Sequence, residues 1–204
     1  MIVNKVDIAQ LGKLDPIFKD IVDQYGFPPE WVRPQGFVSL SRIILEQQVS
    51  LDSANAAYKQ LKTYLGQITP KRVLQLSAEE WKSCYVSRQK ARYISLLGKE
   101  ILEKGFDLSS LDALADDEVR ERLIRLKGVG PWTANVYLLF CLQRKNIFPP
   151  GDIALIRTVQ ELKAVERERV DEVAKSWAPF ASLASFCLWH YYLSKRGRTI
   201  EYHE

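Results

Sequence analysis

Helix start and stop signals divide this chain into short segments along its whole length, and they constrain its fold more than any other feature. Asp15-Pro16 opens one segment and Gly26 closes it, in the usual order of N-cap, first-turn proline and terminating glycine. Ser77 and Glu80 have the spacing of a capping box, in which each side chain satisfies the other's backbone amide. No stretch alternates apolar and polar residues for long enough to predict a strand. The sequence therefore predicts an all-α fold of about ten to twelve helices.

Apolar periodicity and capping residues bound the other predicted helices. They cover residues 37–48, 53–64, 88–104, 116–125, 131–143, 153–163, 168–176 and 179–195, with a short helix opening at Thr69-Pro70. We expect the least regular structure between Gly26 and Gln35, which contains three prolines, and in the tail from Arg196 to Glu204.

Composition and charge exclude several classes of protein. Hydrophobic residues make up 47% and charged residues 26% of the 204, as in a globular protein with one domain or two packed subdomains. No apolar run approaches the roughly 18 residues of a membrane span, and the first ten residues do not resemble a signal peptide. We therefore expect a cytoplasmic protein with no membrane partner, nucleoid-associated if it is bacterial. The net charge of +4 permits a polyanionic partner without requiring one.

The cysteines and histidines argue against a metal site. The three cysteines are scattered and have no C-x2-C spacing, and the two histidines stand far from a second ligand. We therefore expect reduced thiols and neither structural zinc nor an iron–sulfur cluster. The residues concerned are Cys84, Cys141, Cys187, His190 and His203.

A glycine-rich turn lies between two predicted helices at Gly128-Val129-Gly130-Pro131. Glycine allows positive φ and lets a ligand approach its amide closely, and proline suits the first position of the following helix. The free amides at that helix start could hold an anion such as a phosphate group. Taken alone, the turn favours a tight helix–helix connection that binds nothing.

Three segments together resemble the helix-hairpin-helix DNA glycosylases. The turn lies within LKGVGPWTAN (126–135), and FPPGDIALIR (148–157) places Asp152 24 residues after Gly128. Upstream, ILEQQVS (44–50) resembles the family's glutamine-bearing helix end that approaches the lesion. The match spans residues 37–195 and is closest to the 3-methyladenine DNA glycosylase II (AlkA-like) branch, although the chain is too short for that branch's additional N-terminal β domain.

The resemblance implies two helical lobes. A six-helix barrel over 37–147, with the hairpin at 126–132, would pack against a second helical lobe formed by 1–36 and 148–204. Double-stranded DNA containing a damaged base would enter the cleft between the lobes, and we expect the protein to act as a monomer.

The resemblance also assigns Asp152 as the catalytic carboxylate. The same residue is predicted to cap helix 153–163, and a helix N-terminus favours the ionised form that the chemistry needs. Breaking an N-glycosidic bond places positive charge on the deoxyribose, which a carboxylate stabilises. The resemblance assigns a catalytic role to only one carboxylate. That suits alkylated purines, which carry a positive charge already and leave without a general acid.

Trp132 and Trp189 are the residues expected to determine the type of reaction and the choice of base. In lyase-competent relatives a lysine at the position of Trp132 forms a Schiff base, which an indole cannot form, so the reaction should leave an abasic site and an intact strand. Both tryptophans are expected to hold the extruded, electron-poor base, with packing in the core as the alternative. The branch's further pocket tyrosine is replaced by Val136, and Tyr137 faces another side of the helix.

The remaining expected contacts are with DNA. Gln48 would fill the gap left by the extruded nucleotide, with a solvated helix end as the alternative for Gln47 and Gln48. The hairpin carbonyls could coordinate a monovalent cation, no other cofactor being required. Phosphate groups would be bound by Lys127, Gly128, Gly130 and Thr133, extended by Lys90 and Arg92.

Three other functions compete with this interpretation. Trp132 and the lack of a four-cysteine cluster oppose an endonuclease III-like enzyme that removes oxidised pyrimidines and cuts the strand. Asp152 at its expected spacing opposes a non-catalytic DNA-binding module, and the three-segment match opposes a helical scaffold. The order of preference among alkylated and deaminated bases stays open.

Overall fold

The computed structural model describes residues 1–198, and within them the chain is all-helical, which confirms the predicted fold class. This part contains twelve α-helices, two 3-10 turns and no strand. None of these helices is long and apolar enough to cross a membrane. The helices are α1 (Lys5–Leu14), α2 (Ile17–Tyr25), α3 (Phe37–Glu46), α4 (Leu51–Leu65), α5 (Pro70–Val73), α6 (Ala78–Ser83), α7 (Arg88–Lys104), α8 (Asp116–Ile124), α9 (Pro131–Phe140), α10 (Ile153–Lys163), α11 (Val170–Lys175) and α12 (Ala181–Ser194), and the 3-10 turns are Ser109–Ala113 and Arg167–Arg169.

The predicted caps at Ser77, Ser87 and Gly105 are the ones that the structure uses, whereas α2 begins at Ile17 with Pro16, not Asp15, at its N-cap. Ser77 Oγ accepts from the Glu80 amide at 3.2 Å, and Glu80 Oε2 accepts from the Ser77 amide at 2.7 Å, which completes the capping box. Ser87 caps α7, and Gly105 ends that helix in the left-handed conformation. Short-range side-chain chemistry therefore sets these helix limits, as the sequence predicts.

Helix α1 is absent from the predicted elements. Its first residues mix polar and apolar positions, but Asn4 accepts from the Asp7 amide at 2.8 Å and starts the helix. Ile8 and Leu11, three positions apart, are buried, and the helix packs against α2 and α12. A helix this short depends on tertiary packing, and no local pattern reveals that packing.

Helix α9 ends at Phe140, three residues before its predicted end at Gln143. Gln143 has a φ of 51°, and its side-chain amide donates to the Leu139 and Phe140 carbonyls at 3.0 and 3.3 Å. The glutamine thus satisfies the last carbonyls of the helix in place of a further helical turn.

The chain forms two compact units. The inserted unit is Arg33–Tyr137, and the terminal unit combines Met1–Val32 with the chain from Leu138 onward. The sequence places these limits at 36/37 and 147/148, and a six-helix barrel over 37–147 stays a prediction. The predicted second lobe and tail extend to Glu204, and their residues 199–204, including His203, lie outside the described part of the chain.

Each unit has its own core. In the inserted unit α3 packs against α4 and α7, and α5 and α6 also pack against α7. All apolar side chains of α3 except the exposed Val38 are buried, and so are two of its serines and Arg42.

In the terminal unit α12 packs against α1, α2 and α10. Asp15, which is 4% exposed, accepts hydrogen bonds from Lys163 and from the indole nitrogen of Trp177 at 2.9 and 3.0 Å. This buried carboxylate therefore joins the start of α2 to α10 and to the segment before α12.

Candidate functional site

The hairpin between α8 and α9 uses its two glycines differently. Gly128 has a φ of +90°, and a Cβ atom there would lie 2.2 Å from Cγ of Tyr93 on α7. A Cβ atom added to Gly130, by contrast, would have no neighbouring atom within 4 Å. Gly128 is thus required by packing, whereas Gly130 leaves open space in front of the helix start, where an anion could approach the backbone.

The other predicted hairpin residues differ in accessibility. Lys127 is exposed, as a phosphate-binding lysine must be, and Trp132 is half-buried in the first turn of α9. Thr133 is only 2% exposed, and its hydroxyl accepts from the Gln47 side chain at 2.9 Å. The Thr133 side chain therefore faces the protein, and any contact between Thr133 and phosphate would have to come from its backbone.

The end of α3 separates two neighbouring glutamines. Gln47 is half-buried and donates to the hairpin, whereas Gln48 is exposed and has a φ of 55°. The alternative of a solvated helix end therefore fits Gln48 but not Gln47. Residues 39–45 of α3 are all buried, and this continuous burial indicates that the last turn of the helix also contacts protein.

Lys90, which is expected to extend the phosphate contacts, binds another part of the inserted unit. Its Nζ atom donates to the Leu45 carbonyl at 2.7 Å and is partly buried. Burial lowers the pKa of Lys90, and the carboxylate of Glu46 partly offsets that effect. Lys90 thus binds an end carbonyl of α3, while Arg92 remains exposed.

Asp152 caps α10, as predicted. Its Oδ1 atom accepts from the Leu155 amide at 2.9 Å, and the side chain is half-buried at the helix N-terminus. Gly151 precedes it with a φ of +75°, and Ile153 follows it with 60% of its surface exposed. The carboxylate is thereby held at the N-terminus of α10.

Trp189 contacts Asp152 directly. Its indole nitrogen donates to Asp152 Oδ1 at 3.2 Å, and its ring stacks on Phe140 with centroids 5.4 Å apart and planes 19° apart. Trp31 meets the same indole edge-on at 6.4 Å. One face of Trp189 is therefore covered by protein. The tryptophan holds the carboxylate, a role that sequence reasoning misses because it joins residues 37 positions apart.

Val136 and Tyr137 both belong to the core. Val136 is 1% exposed, and the buried hydroxyl of Tyr137 accepts from the Gly36 amide at 3.0 Å. Neither side chain is accessible to a ligand within the inserted unit, so Tyr137 does not substitute for the tyrosine that is absent at position 136.

The predicted site residues thus form two groups, each inside one unit. The first group consists of Gln48, Lys127, Gly128, Gly130, Trp132 and Thr133 in the inserted unit. The second group consists of Asp152 and Trp189, which are in contact in the terminal unit. The first group provides a helix-start turn with open space at Gly130, and the second provides a hydrogen-bonded, half-buried carboxylate.

Comparisons with known proteins identify a matching family and several relatives. The family model described as HhH-GPD superfamily base excision DNA repair protein matches residues 41–180. The Bacillus subtilis protein YfjP is 32% identical over 124 residues, which cover 59% of this chain and 43% of YfjP. A DNA-3-methyladenine glycosylase of the same organism is 25% identical over 197 residues, covering 88% of this chain and 65% of that protein.

The chain therefore spans less than two thirds of the length of these two relatives. Among solved structures, the Schizosaccharomyces pombe 3-methyladenine DNA glycosylase Mag1 superposes with a TM-score of 0.84 at 23% identity. The alignment covers 94% of this chain and 97% of Mag1. At that identity the likeness concerns the fold.

Proposed function

Because this chain belongs to the HhH-GPD superfamily of base excision DNA repair proteins, we propose that it is a monofunctional DNA N-glycosylase that removes alkylated bases of the 3-methyladenine type. Relatives named DNA-3-methyladenine glycosylase support this activity. The fold neighbour Mag1 was solved in complex with abasic DNA, which supports damaged duplex DNA as the partner.

The observation that carries the proposal is the fixed carboxylate of Asp152. Two donors, the Leu155 amide and the Trp189 indole, hold the same Oδ1 atom. As the bond between C1′ and the base nitrogen breaks, positive charge develops on the sugar, and this carboxylate stabilises it at a helix end. The base leaves with the electron pair of the broken bond. Water then adds to C1′ and loses a proton to the solvent.

The first turn of α9 decides what happens after the base has left. Trp132 stands where lyase-competent members of the family carry a lysine, and an indole cannot form an imine with C1′. The product is then an abasic site in an uncut strand. A cationic lesion such as 3-methyladenine leaves as a neutral base, which requires no second carboxylic acid.

The inserted unit supplies the expected grip on DNA. The open space at Gly130 and the exposed Lys127 are suited to a phosphate group, and the exposed Gln48 is suited to filling the gap in the duplex. The carbonyls of Gly128 and Leu126 each accept one hydrogen bond from the protein. A carbonyl oxygen has two lone pairs, so both keep capacity for the monovalent cation that the resemblance implies.

The experiment that tests this proposal uses the purified chain and a duplex treated with a methylating agent. We expect release of 3-methyladenine or 7-methylguanine, detected by chromatography, and a strand that stays intact until alkali is added. Strand cutting without alkali would instead indicate a lyase, and release of no methylated base would contradict the proposal.

Asp152→Asn is the matched variant. The asparagine oxygen can still accept from Leu155 and Trp189, so we expect a stable fold and retained binding to a duplex with an abasic analogue. Loss of the negative charge should lower base release by about 100-fold or more. Base release equal to that of the wild type would show that another group performs the chemistry.

A further inference from the structure

Two successive residues at the end of α3 are fixed by other segments of the inserted unit. Lys90 donates to the Leu45 carbonyl at 2.7 Å. Arg33 holds Glu46 through two hydrogen bonds of 2.7 and 3.0 Å, and both side chains are at least nine-tenths buried. This helix end is therefore held more firmly than the fraying end of an ordinary helix.

Gln47 makes the third connection, and it leads to the hairpin. Its amide nitrogen lies 2.9 Å from the Gly128 carbonyl and 2.9 Å from the Thr133 hydroxyl. A side-chain amide has two N–H groups, so one residue can satisfy both acceptors. Gln47 thus joins the end of α3 to the turn and to the first turn of α9.

The residue after this connection is the one that reaches solvent. Gln48 is exposed and has a φ of 55°, so the backbone leaves the helix direction there. Only one peptide unit separates the fixed side chain of Gln47 from the exposed side chain of Gln48. The position of Gln48 relative to the hairpin is therefore set by the two hydrogen bonds of Gln47.

We propose that Gln47 is a positioning residue, which holds the gap-filling Gln48 at a fixed place relative to the phosphate-binding hairpin. This inference rests on the proposed function. Binding of phosphate at the hairpin would then fix where Gln48 meets the duplex, so that gripping the backbone and extruding the nucleotide occur as one step. Such fixed geometry raises the rate of reaction more than it raises affinity.

Gln47→Met tests the proposal because methionine has a similar length and no donor. We expect the single-turnover rate of base release from a duplex with one 7-methylguanine to fall about tenfold, since two hydrogen bonds are lost. Affinity for undamaged duplex should change by less than about twofold, since the hairpin amides and Lys127 remain. If Gln47 served only to stabilise the fold, Gln47→Met would have a lower melting temperature, and its rate of base release and its affinity for DNA would fall together.

Two further variants make the test specific. Thr133→Val removes one of the two acceptors and should give a smaller loss of rate. The double variant should be no slower than Gln47→Met alone, because both changes break the same connection. Gln75→Met places the same substitution at an exposed glutamine that makes no side-chain hydrogen bond in the described part of the chain, and it should leave the rate unchanged. Additive losses in the double variant would contradict the connection through Thr133.

A binding measurement distinguishes this inference from the proposed activity. A duplex with 2-aminopurine opposite an abasic analogue reports insertion at the gap without any base release. We expect the wild type to change its fluorescence and Gln47→Met to change it much less. If the wild type released no methylated base yet showed this difference, the activity would be refuted and the connection upheld. Identical fluorescence changes for the two proteins would overturn the role of Gln47.

Discussion

At the scale of single residues, the proposed function depends most on one oxygen atom. Asp152 Oδ1 accepts both the Leu155 amide and the Trp189 indole, so the carboxylate has a defined position before any substrate binds. A second tryptophan does the same elsewhere in the terminal unit, where Trp177 donates to the buried Asp15 at 3.0 Å. Asp15 is buried and also accepts from Lys163, whereas Asp152 is half-buried at the start of a helix.

Trp189→Phe therefore has a matched control. The phenyl ring keeps the stacking on Phe140 but cannot donate to Asp152, and we expect base release to fall about tenfold or more, as for loss of a hydrogen bond to a charged group. Trp177→Phe should lower the free energy of unfolding by about 1–3 kcal/mol and leave the rate of base release unchanged. Rate measurements combined with urea unfolding check both. Equal effects of the two variants on the rate would contradict the positioning of Asp152 by Trp189.

Sequence reasoning finds local chemistry at this scale and misses distant partners. The cap at Asp152 follows from an aspartate placed before an apolar helical stripe, and the structure confirms it. The partner at Trp189 lies 37 positions away, and no spacing rule predicts such a contact. The same limit explains why the sequence alone does not distinguish the half-buried Gln47 from a solvated residue.

At the scale of elements, the hairpin is fixed from one side and open on the other. Tyr93 on α7 lies against Gly128, while Gly130 has open space in front of it. The two glycines of one motif thus serve different needs, the first a packing requirement and the second access for a ligand.

Alanine substitution separates these needs. Gly128→Ala places a Cβ 2.2 Å from Tyr93 Cγ at a φ of +90°, so we expect a large loss of stability, at least about 2 kcal/mol. Gly130→Ala meets no neighbour and should cost about 1 kcal/mol or less, but its methyl group would occupy the space for phosphate and weaken DNA binding. Thermal unfolding and DNA titration of both variants check this. A Gly130→Ala protein with normal DNA affinity would exclude the phosphate site.

The sequence predicts elements well where a cap marks the boundary and less well where packing decides. The capping box at Ser77 and the glycine stop at Gly105 lie where the residues indicate. By contrast α1 forms because Ile8 and Leu11 are buried against other helices, and α9 stops early because Gln143 caps it. Both results depend on contacts that only the folded chain provides.

At the scale of the whole molecule, the chain leaves one unit, builds a second one, and returns to complete the first. The sequence locates this interruption only through resemblance, since neither a linker nor a change in composition marks it. The three cysteines are all buried, two of them completely. We therefore expect thiol reagents in solution to react with these cysteines only after the protein unfolds.

Alkaline conditions should reveal the burial of Cys187. Burial raises the pKa of this thiol from its ordinary value of 9.0 to about 12. Between these values the unfolded chain has lost the proton and the folded protein has kept it, so the free energy of unfolding falls as pH rises, by on the order of 1 kcal/mol per pH unit. Cys187→Ala should remove this part of the slope. Urea unfolding of both proteins from about pH 8 to about pH 11 measures it, and parallel slopes would refute the prediction.

The left-handed backbone at Gln48 has a consequence for anyone who would engineer this protein. A side chain in that conformation costs roughly 1 kcal/mol relative to glycine. Selection for heat resistance alone would therefore favour glycine or asparagine at this position, and the hardier protein would have lost the residue proposed to enter the duplex. Thermal tolerance and repair capacity would then change in opposite directions at a single codon.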